Sequence, residues 1–356
     1  LFLLVGNNAS FQAGLNAQAP ELFGASENVY DETVAAGQEA GAIAPLFGGT
    51  LGVIFLAIPY IVFFNLWPNW GATLYGEVRG ATDFKRNFWG MGWALIGTTI
   101  LGAVFFLLIS KTITWDWYMN ANGAWWNYRW GYTDQVPPLP IWPYPALLAV
   151  FMTPSRILQF IIILAMSAWW FGWSGTVFLS STRVIFAAAF DRLLPERVAE
   201  VDPKTRTPII ALVLMVVPSL IVAALFAWNI FNFQTLTLCS TLVIAVTYLG
   251  STIAAILLPW IKKDLYNASP IAKYKIFGIP LISIAGVIFG AFLGYLLYQW
   301  LIDPNGLYGI GLSNTSSVIY MLAMYLLALA LYLGFKWYRK REGIDIAKIY
   351  EEIPVE

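Results

Sequence analysis

The chain alternates long apolar runs with shorter polar ones. Seven runs approach or exceed the length of about 20 apolar residues needed to cross a bilayer. They are Leu46–Gly76, Phe88–Ser110, Ile157–Thr182, Ile209–Trp228, Thr235–Pro259, Phe277–Leu301 and Val318–Phe335. Each reads as helix, because backbone polar groups in lipid must be satisfied inside their own segment. Leu1–Val5 reads as the tail of a preceding apolar helix, so the sequence is expected to be the carboxy-terminal part of a longer protein. Gly6–Pro45 reads as a polar loop with five carboxylates and no Lys or Arg. Lys111–Thr153 reads as a second long loop, rich in tryptophan and carrying Pro137, Pro138, Pro140 and Pro143. Lys336–Glu356 reads as a charged, soluble tail.

The first run is interrupted. Asn65-Leu66-Trp67-Pro68-Asn69-Trp70-Gly71 places a proline, two asparagines and a glycine at mid-span. A proline there removes a backbone donor and clashes with the preceding turn. Such a break survives in a membrane only where protein or a cavity covers it. It reads either as a simple kink or as a discontinuous helix whose opened backbone holds a ligand.

Composition agrees with the pattern. The chain is 59% hydrophobic and 11% charged, with a mean hydropathy of +0.68, where soluble domains carry about 25% charged residues. There is no histidine, which removes histidine-ligated metals, haem and histidine triads. The single cysteine, Cys239, lies in an apolar run, so no disulfide framework or zinc cluster is expected.

Charge sets the orientation. With the seven spans alternating, seventeen of the 20 Lys and Arg residues fall on one side. Only Lys111, Arg129 and Arg156 fall on the other. That bias puts the carboxy terminus in the cytoplasm and both long loops outside. No Lys, Arg, Asp or Glu lies deep inside a span, so no titratable relay is visible.

The most specific stretch is Ser181-Thr-Arg-Val-Ile-Phe-Ala-Ala-Ala-Phe-Asp191-Arg-Leu-Leu-Pro195, followed by Val201-Asp-Pro-Lys204-Thr-Arg-Thr-Pro208. It resembles the amino acid–polyamine–organocation superfamily of permeases. In that family the eighth span ends in small-residue-Ser-Arg, an aromatic-Ala run, Asp and Leu-Pro, and the next loop ends in Thr-Pro. Here Thr182 replaces the usual serine and Arg192 the usual glycine. A looser likeness is Glu77-Val78-Arg79, which sits where the family has Glu-Val-Lys after its broken sixth span. Counting back places Trp67-Pro68-Asn69 at the family's Gly-aromatic-acid triplet, with the glycine and the acid missing.

The resemblance implies an all-α integral membrane protein of the five-plus-five inverted-repeat fold, with family spans six to twelve present. Residues 1–45 would be the end of a preceding span and an external loop. Residues 46–259 would be the second five-helix repeat, 260–338 two peripheral helices and 339–356 a cytoplasmic tail. The implied function is a secondary transporter for amino acids or related amines in the cell membrane, and not an enzyme. The implied substrate site is Asn65, Leu66, Trp67, Pro68, Asn69 and Trp70. The implied partners are a small-molecule substrate, membrane lipid and the amino-terminal spans of the same polypeptide, with no nucleic acid. No cofactor is expected, and coupling to Na+ or H+ stays open.

Other features carry two readings each. Ser174 and Thr176 offer hydroxyls to a coupling sodium ion, or bond their own backbone as such residues do in membrane helices. The tryptophan loop is a lid or an interfacial aromatic belt. Arg183 and Asp191, eight residues apart and so within about 80° of one helical face, read as an inner-gate pair. Gly286, Gly290 and Gly294 form a close-packing face, internal or between copies of a homo-oligomer. Two other functions compete with transport: a membrane-embedded transferase, which wants clustered carboxylates, and a non-transporting subunit that packs against a partner.

Overall fold

The apolar runs fold as helices. The computed structural model describes residues 2–41, 46, 49–65, 74, 80 and 83–346. In chain order the helices are α1 (Phe2–Val5), α2 (Asn8–Phe23), α3 (Val29–Glu39), α4 (Leu51–Asn65), α5 (Phe84–Thr112), α6 (Trp115–Arg129) and α7 (Pro145–Leu148). They continue with α8 (Arg156–Phe190), α9 (Ile209–Ala227), α10 (Phe233–Ile261), α11 (Lys263–Ala268), α12 (Leu281–Ile302) and α13 (Thr315–Arg341). The two-residue strands β1 (Lys275–Ile276) and β2 (Ile279–Pro280) pair antiparallel just before α12.

Helices α5, α8, α9, α10, α12 and α13 are long and apolar enough to cross a membrane. They correspond to the second to seventh runs in the sequence. The first run begins as α4, and its continuation from Leu66 lies largely outside the described residues. Large apolar side chains such as Leu101, Phe171 and Leu220 are exposed on these helices. Contiguous exposed apolar surface of this kind needs an apolar surrounding, and lipid supplies it. The chain is an all-α, multi-pass membrane protein.

The chain divides into two compact units, one of residues 1–54 and 88–175, the other of 55–87 and 176–356. The first unit corrects two expectations. Gly6–Pro45 is not an open loop, because it contains α2 and α3. Asn7 caps α2 by accepting from the Ser10 N–H at 2.9 Å, while the Ser10 hydroxyl accepts from the Asn7 N–H at 3.1 Å. This reciprocal cap satisfies two donors that a helix start would leave bare. Gly24 closes the helix in the left-handed region at φ 67°. Lys111–Thr153 likewise contains α6, α7 and a 3-10 turn over Ala149–Met152. The two polar segments bury each other's apolar faces around Phe11, Leu15, Val29, Trp117, Leu148 and Phe151. Trp117 stacks on Tyr30 at 5.6 Å and donates its indole N–H to the Tyr30 carbonyl at 3.1 Å. Below them Gln18 and Gln159 are buried and hydrogen-bonded to one another, and Gln18 also donates to the Phe151 carbonyl at 3.0 Å.

In the second unit α10 packs along α12 around Leu242, Ala245, Leu293, Leu296 and Trp300. A Cβ on Gly286 would lie 2.6 Å from Ile256, so the absent side chain is what lets these helices close. Ser283 donates to the Ile256 carbonyl at 3.0 Å across the same seam. Gly286 therefore faces α10, and a Cβ added to Gly290 would meet the Thr252 methyl on that helix at 3.7 Å, ordinary van der Waals contact. At Gly294 a side chain would meet nothing within 4 Å. Helix α13 joins α10 through Cys239–Ser317 at 2.9 Å and Ser240–Tyr320 at 2.8 Å.

Candidate functional site

Helix α4 runs up to Asn65, the first residue of the expected substrate stretch. The side chain of Asn65, and Leu66, Trp67, Pro68, Asn69 and Trp70 altogether, lie outside the described residues. What the structure does describe is how α4 is held. Pro59 lies inside it and is buried. Around it three tyrosines reach backbone carbonyls. Tyr295 on α12 donates to Phe55 O at 2.6 Å, and Tyr308 in the loop after α12 donates to Leu56 O at 2.8 Å. Tyr60 on α4 donates back to Leu307 O.

The loop is shaped for this. Asp303 takes up the left-handed region at φ 44° as α12 ends. Its carboxylate accepts from the N–H groups of Leu307 at 2.8 Å, Tyr308 at 3.1 Å and Gly309 at 3.0 Å. Tyr308 is buried, and burial, with Tyr295, Tyr60 and Asp303 nearby, pushes its hydroxyl up to about 12. It therefore stays a hydrogen-bond donor throughout the physiological range. Sequence reasoning missed this group. The usable signal was Pro59, which frees a carbonyl inside α4.

The segment singled out as most specific folds as a helix end, a reversal and a new helix. Helix α8 ends at Phe190, and Arg192 reverses the chain at φ 58°. Leu193 and Leu194 both donate back to the Ala188 carbonyl at 3.0 and 3.2 Å. The turn before Pro208 is closed by Asp202, whose carboxylate accepts from the Thr205 N–H at 2.7 Å and its hydroxyl at 2.8 Å. Those bonds hold the Asp202 carboxyl below its ordinary value. Ala189, Val198 and Ala211 form a small apolar core beneath. The order Asp-Arg-Leu-Leu-Pro and Asp-Pro-Lys-Thr-Arg-Thr-Pro is thus a pair of built turns, which a generic basic loop would not need.

Arg339, near the end of α13, is the second group that sequence reasoning missed. It is 3% exposed. Its Nε donates to the Arg192 carbonyl at 2.7 Å, and its other nitrogens reach Glu342 at 2.6 Å and Glu196 at 4.0 Å. Arg339, Glu342 and Glu196 line a cleft of about 760 Å³ together with Pro195, Arg197, Tyr338 and Ile344.

The remaining candidates are placed as follows. Ser174 is exposed on α8 and donates to the Trp170 carbonyl at 2.8 Å, a bond to its own helix. Thr176 is exposed two residues on, and residues at that spacing do not share a helix face. Arg183 is half-buried with its guanidinium 5.9 Å from the Phe186 ring. Asp191 is exposed, one residue beyond the end of α8. Of the loop tryptophans, Trp117 is core, while Trp130 and Trp142 each pack on Trp126 with centroids 5.9 Å apart.

A family model described as amino acid permease matches residues 132–330, more than half of the chain. The match covers α8 to most of α13, including Ser181–Pro208, and begins after Asn65–Trp70. No curated protein and no solved structure matches the chain.

Proposed function

The chain belongs to the amino acid permease family, and from that premise we propose that it works as a secondary active transporter. It is a membrane transporter rather than an enzyme, and its substrate is a small molecule. On our reading the substrate is an amino acid or a related amine, moved across the cell membrane by alternating access. The observation that carries the reading is the family match over 132–330, in which the double turn Ser181–Pro208 is embedded. The cation bias supports a cytoplasmic carboxy terminus. Arg183 and Asp191 then sit at the inner end of α8 as gate residues, and the polar segments around Trp117 face the outside.

In this reading Leu66–Trp70, beginning where α4 ends at Asn65, would be unwound and, with Asn65, would line the substrate site. Backbone groups released at Pro68 would hold the carboxylate and ammonium of the ligand, as half-helix ends do. Trp67 and Trp70 would offer faces to its side chain. With asparagine at 69 in place of an acid, neutral or aromatic substrates suit the site better than basic ones. Ser174 and Thr176 are the candidate ligands of a coupling cation.

The test is binding of a panel of amino acids to the purified protein by calorimetry, with melting measured alongside. Pro68→Leu lets the helix close and Asn69→Ala removes a polar group. Both are expected to weaken binding at unchanged melting temperature. If both bind like the parent at equal stability, the break is a passive kink and the site lies elsewhere. If the parent binds none of the panel and moves none in vesicles, the amino acid reading itself fails.

A further inference from the structure

A proline inside a helix has no N–H to give. In α4 that leaves the carbonyl of Phe55, four residues before Pro59, without a partner in its own helix. A membrane does not tolerate a bare carbonyl, so protein must supply the donor. Tyr295 does so at 2.6 Å from the facing helix α12. Gln299, one turn on, donates its amide to the Tyr295 hydroxyl at 3.2 Å, which leaves the hydroxyl proton free to point at Phe55. The Phe55 ring meets the Tyr295 ring edge-on at 6.0 Å.

The next carbonyl, Leu56 O, is taken by Tyr308 at 2.8 Å. Tyr308 stands in the loop that Asp303 braces with three N–H bonds. The Tyr60 and Tyr308 rings lie 5.0 Å apart, and Tyr60 donates to the Leu307 carbonyl. Each of the three bonds that join α4 to these neighbours runs from a tyrosine hydroxyl to a main-chain carbonyl. Such a bond holds a helix without fixing a side-chain partner on it. A proline-free α4 would satisfy the Phe55 carbonyl itself and need no donor from Tyr295, whereas Leu56 O keeps its helical partner and Tyr308 adds a second bond to it.

We propose that Pro59, Tyr295 and Tyr308 form a latch that ties the first part of α4 to α12 and to the 303–314 loop, and that its release is a step of the transport cycle. The second half of this statement rests on the transport reading given above. Helix α4 leads directly into Asn65, so any shift of α4 on its latch is delivered to the stretch assigned to substrate. The tyrosines are positioning residues, since none of them is placed in the substrate site. Bonds between membrane helices are individually weak, which suits a contact that opens on every turnover.

Three measurements on the purified protein test the latch. The first is a melting cycle with Tyr295→Phe, Pro59→Ala and the double variant. Alanine at 59 returns an N–H to Phe55 O, so Tyr295→Phe is expected to lower Tm by about 2–4 °C in the parent and much less in the Pro59→Ala background. Equal losses in both backgrounds would show that Tyr295 does not serve the carbonyl freed by proline. The second is the distance between spin labels at Ile61 on α4 and Leu312, both exposed, in a Cys239→Ala background. Tyr295→Phe with Tyr308→Phe is expected to broaden it, and an unchanged distribution overturns the latch.

The third is uptake of an amino acid by reconstituted vesicles. Each lost hydroxyl is expected to change kcat about threefold, the rate equivalent of one weak interhelical bond, with KM little changed. A broadened distance with kcat and KM both at parental values would make the contact a static staple and sink the proposed step. If the parent moves no amino acid, the transport reading fails and takes the proposed step with it. The melting cycle and the label distances still decide whether Tyr295 and Tyr308 hold α4.

Discussion

Arg339 Nε and the carbonyl of Arg192 lie 2.7 Å apart, joining the end of α13 to the reversal that ends α8. The two residues explain each other. Arg192 occupies the left-handed region at φ 58°, where a side chain costs about 1–2 kcal/mol. This is the position where the resembled permeases carry glycine. A carbonyl turned outward by that reversal would be bare, and the buried guanidinium of Arg339 takes it.

Arg192→Gly is therefore expected to stabilise the protein by about 1 kcal/mol, because the turn keeps its shape and loses its strain. Arg339→Leu is expected to cost about 1.5–3 kcal/mol, the worth of hydrogen bonds to a charged group. Thermal unfolding in detergent reads both. A destabilised Arg192→Gly variant would mean that the arginine side chain, and not the backbone reversal, is what the structure uses there.

The spans were readable because a bilayer leaves the backbone little choice. An apolar run of the right length must be helix, and six of the seven expected runs appear with ends within about eight residues of the structure's. Helices α2, α3 and α6 were not readable as such. Their sequences carry polar residues on most faces and no long apolar stripe, so they gave no periodicity. They fold because Phe11, Leu15, Val29 and Trp117 find one another across about a hundred residues, and such pairing leaves no local trace. The Asn7–Ser10 cap was present in the sequence but is too short a signal alone. At the candidate site Pro68 is legible in the sequence because Asn65, Asn69 and Gly71 flank it, and Pro59 is not. The reason is that Pro59 sits in a run without polar neighbours, and its compensation comes from Tyr295, far along the chain.

Glu342 gives a pH test of the α13 end. Its carboxyl is held below the ordinary value of 4.5, first by the Tyr338 hydroxyl and then by Arg339. A lowered native value means that the contribution is present above 4.5 and is lost as pH falls through the lowered value. Glu342→Gln is expected to have a lower Tm than the parent near neutral pH and to lose less on acidification through the carboxylate range. Parallel Tm–pH curves for the two proteins would show that the carboxylate makes no net contribution.

Orientation can be read by labelling. Tyr132 is 81% exposed beyond the end of α6, and Lys340 lies in the last turn of α13. Single cysteines at these positions, with Cys239→Ala, are treated with an impermeant thiol reagent on intact cells. Labelling at 132 but not at 340 is expected from the seventeen-to-three cation bias. The reverse pattern would invert the protein and move the helical unit around Trp117 to the cytoplasm.

The last prediction concerns how α3 closes on α6. A Cβ on Gly37 would lie 2.3 Å from the Asn120 Cα and 2.4 Å from the Asn120 carbonyl oxygen. Both atoms are backbone in the middle of α6, so neither can swing aside as a side-chain end would. Gly37→Ala must push the helices apart, and overpacking of this kind costs about 1–3 kcal/mol. The push falls beside Trp117, whose indole is stacked on Tyr30 at 5.6 Å and bonded to its carbonyl. Gly52 is the control, because it too is helical but a Cβ there meets only the Thr50 hydroxyl at 3.7 Å. Gly52→Ala is expected to be neutral or to stabilise by up to about 1 kcal/mol, since alanine restricts the unfolded chain. The measurement is Tm together with quenching of tryptophan fluorescence by a soluble quencher. Gly37→Ala should lower Tm and expose buried indole, while Gly52→Ala should do neither. If Gly37→Ala melts like the parent with unchanged quenching, the α3–α6 contact has room to spare. The packing of this unit would then have to be carried by the apolar core around Phe11 and Phe151 alone.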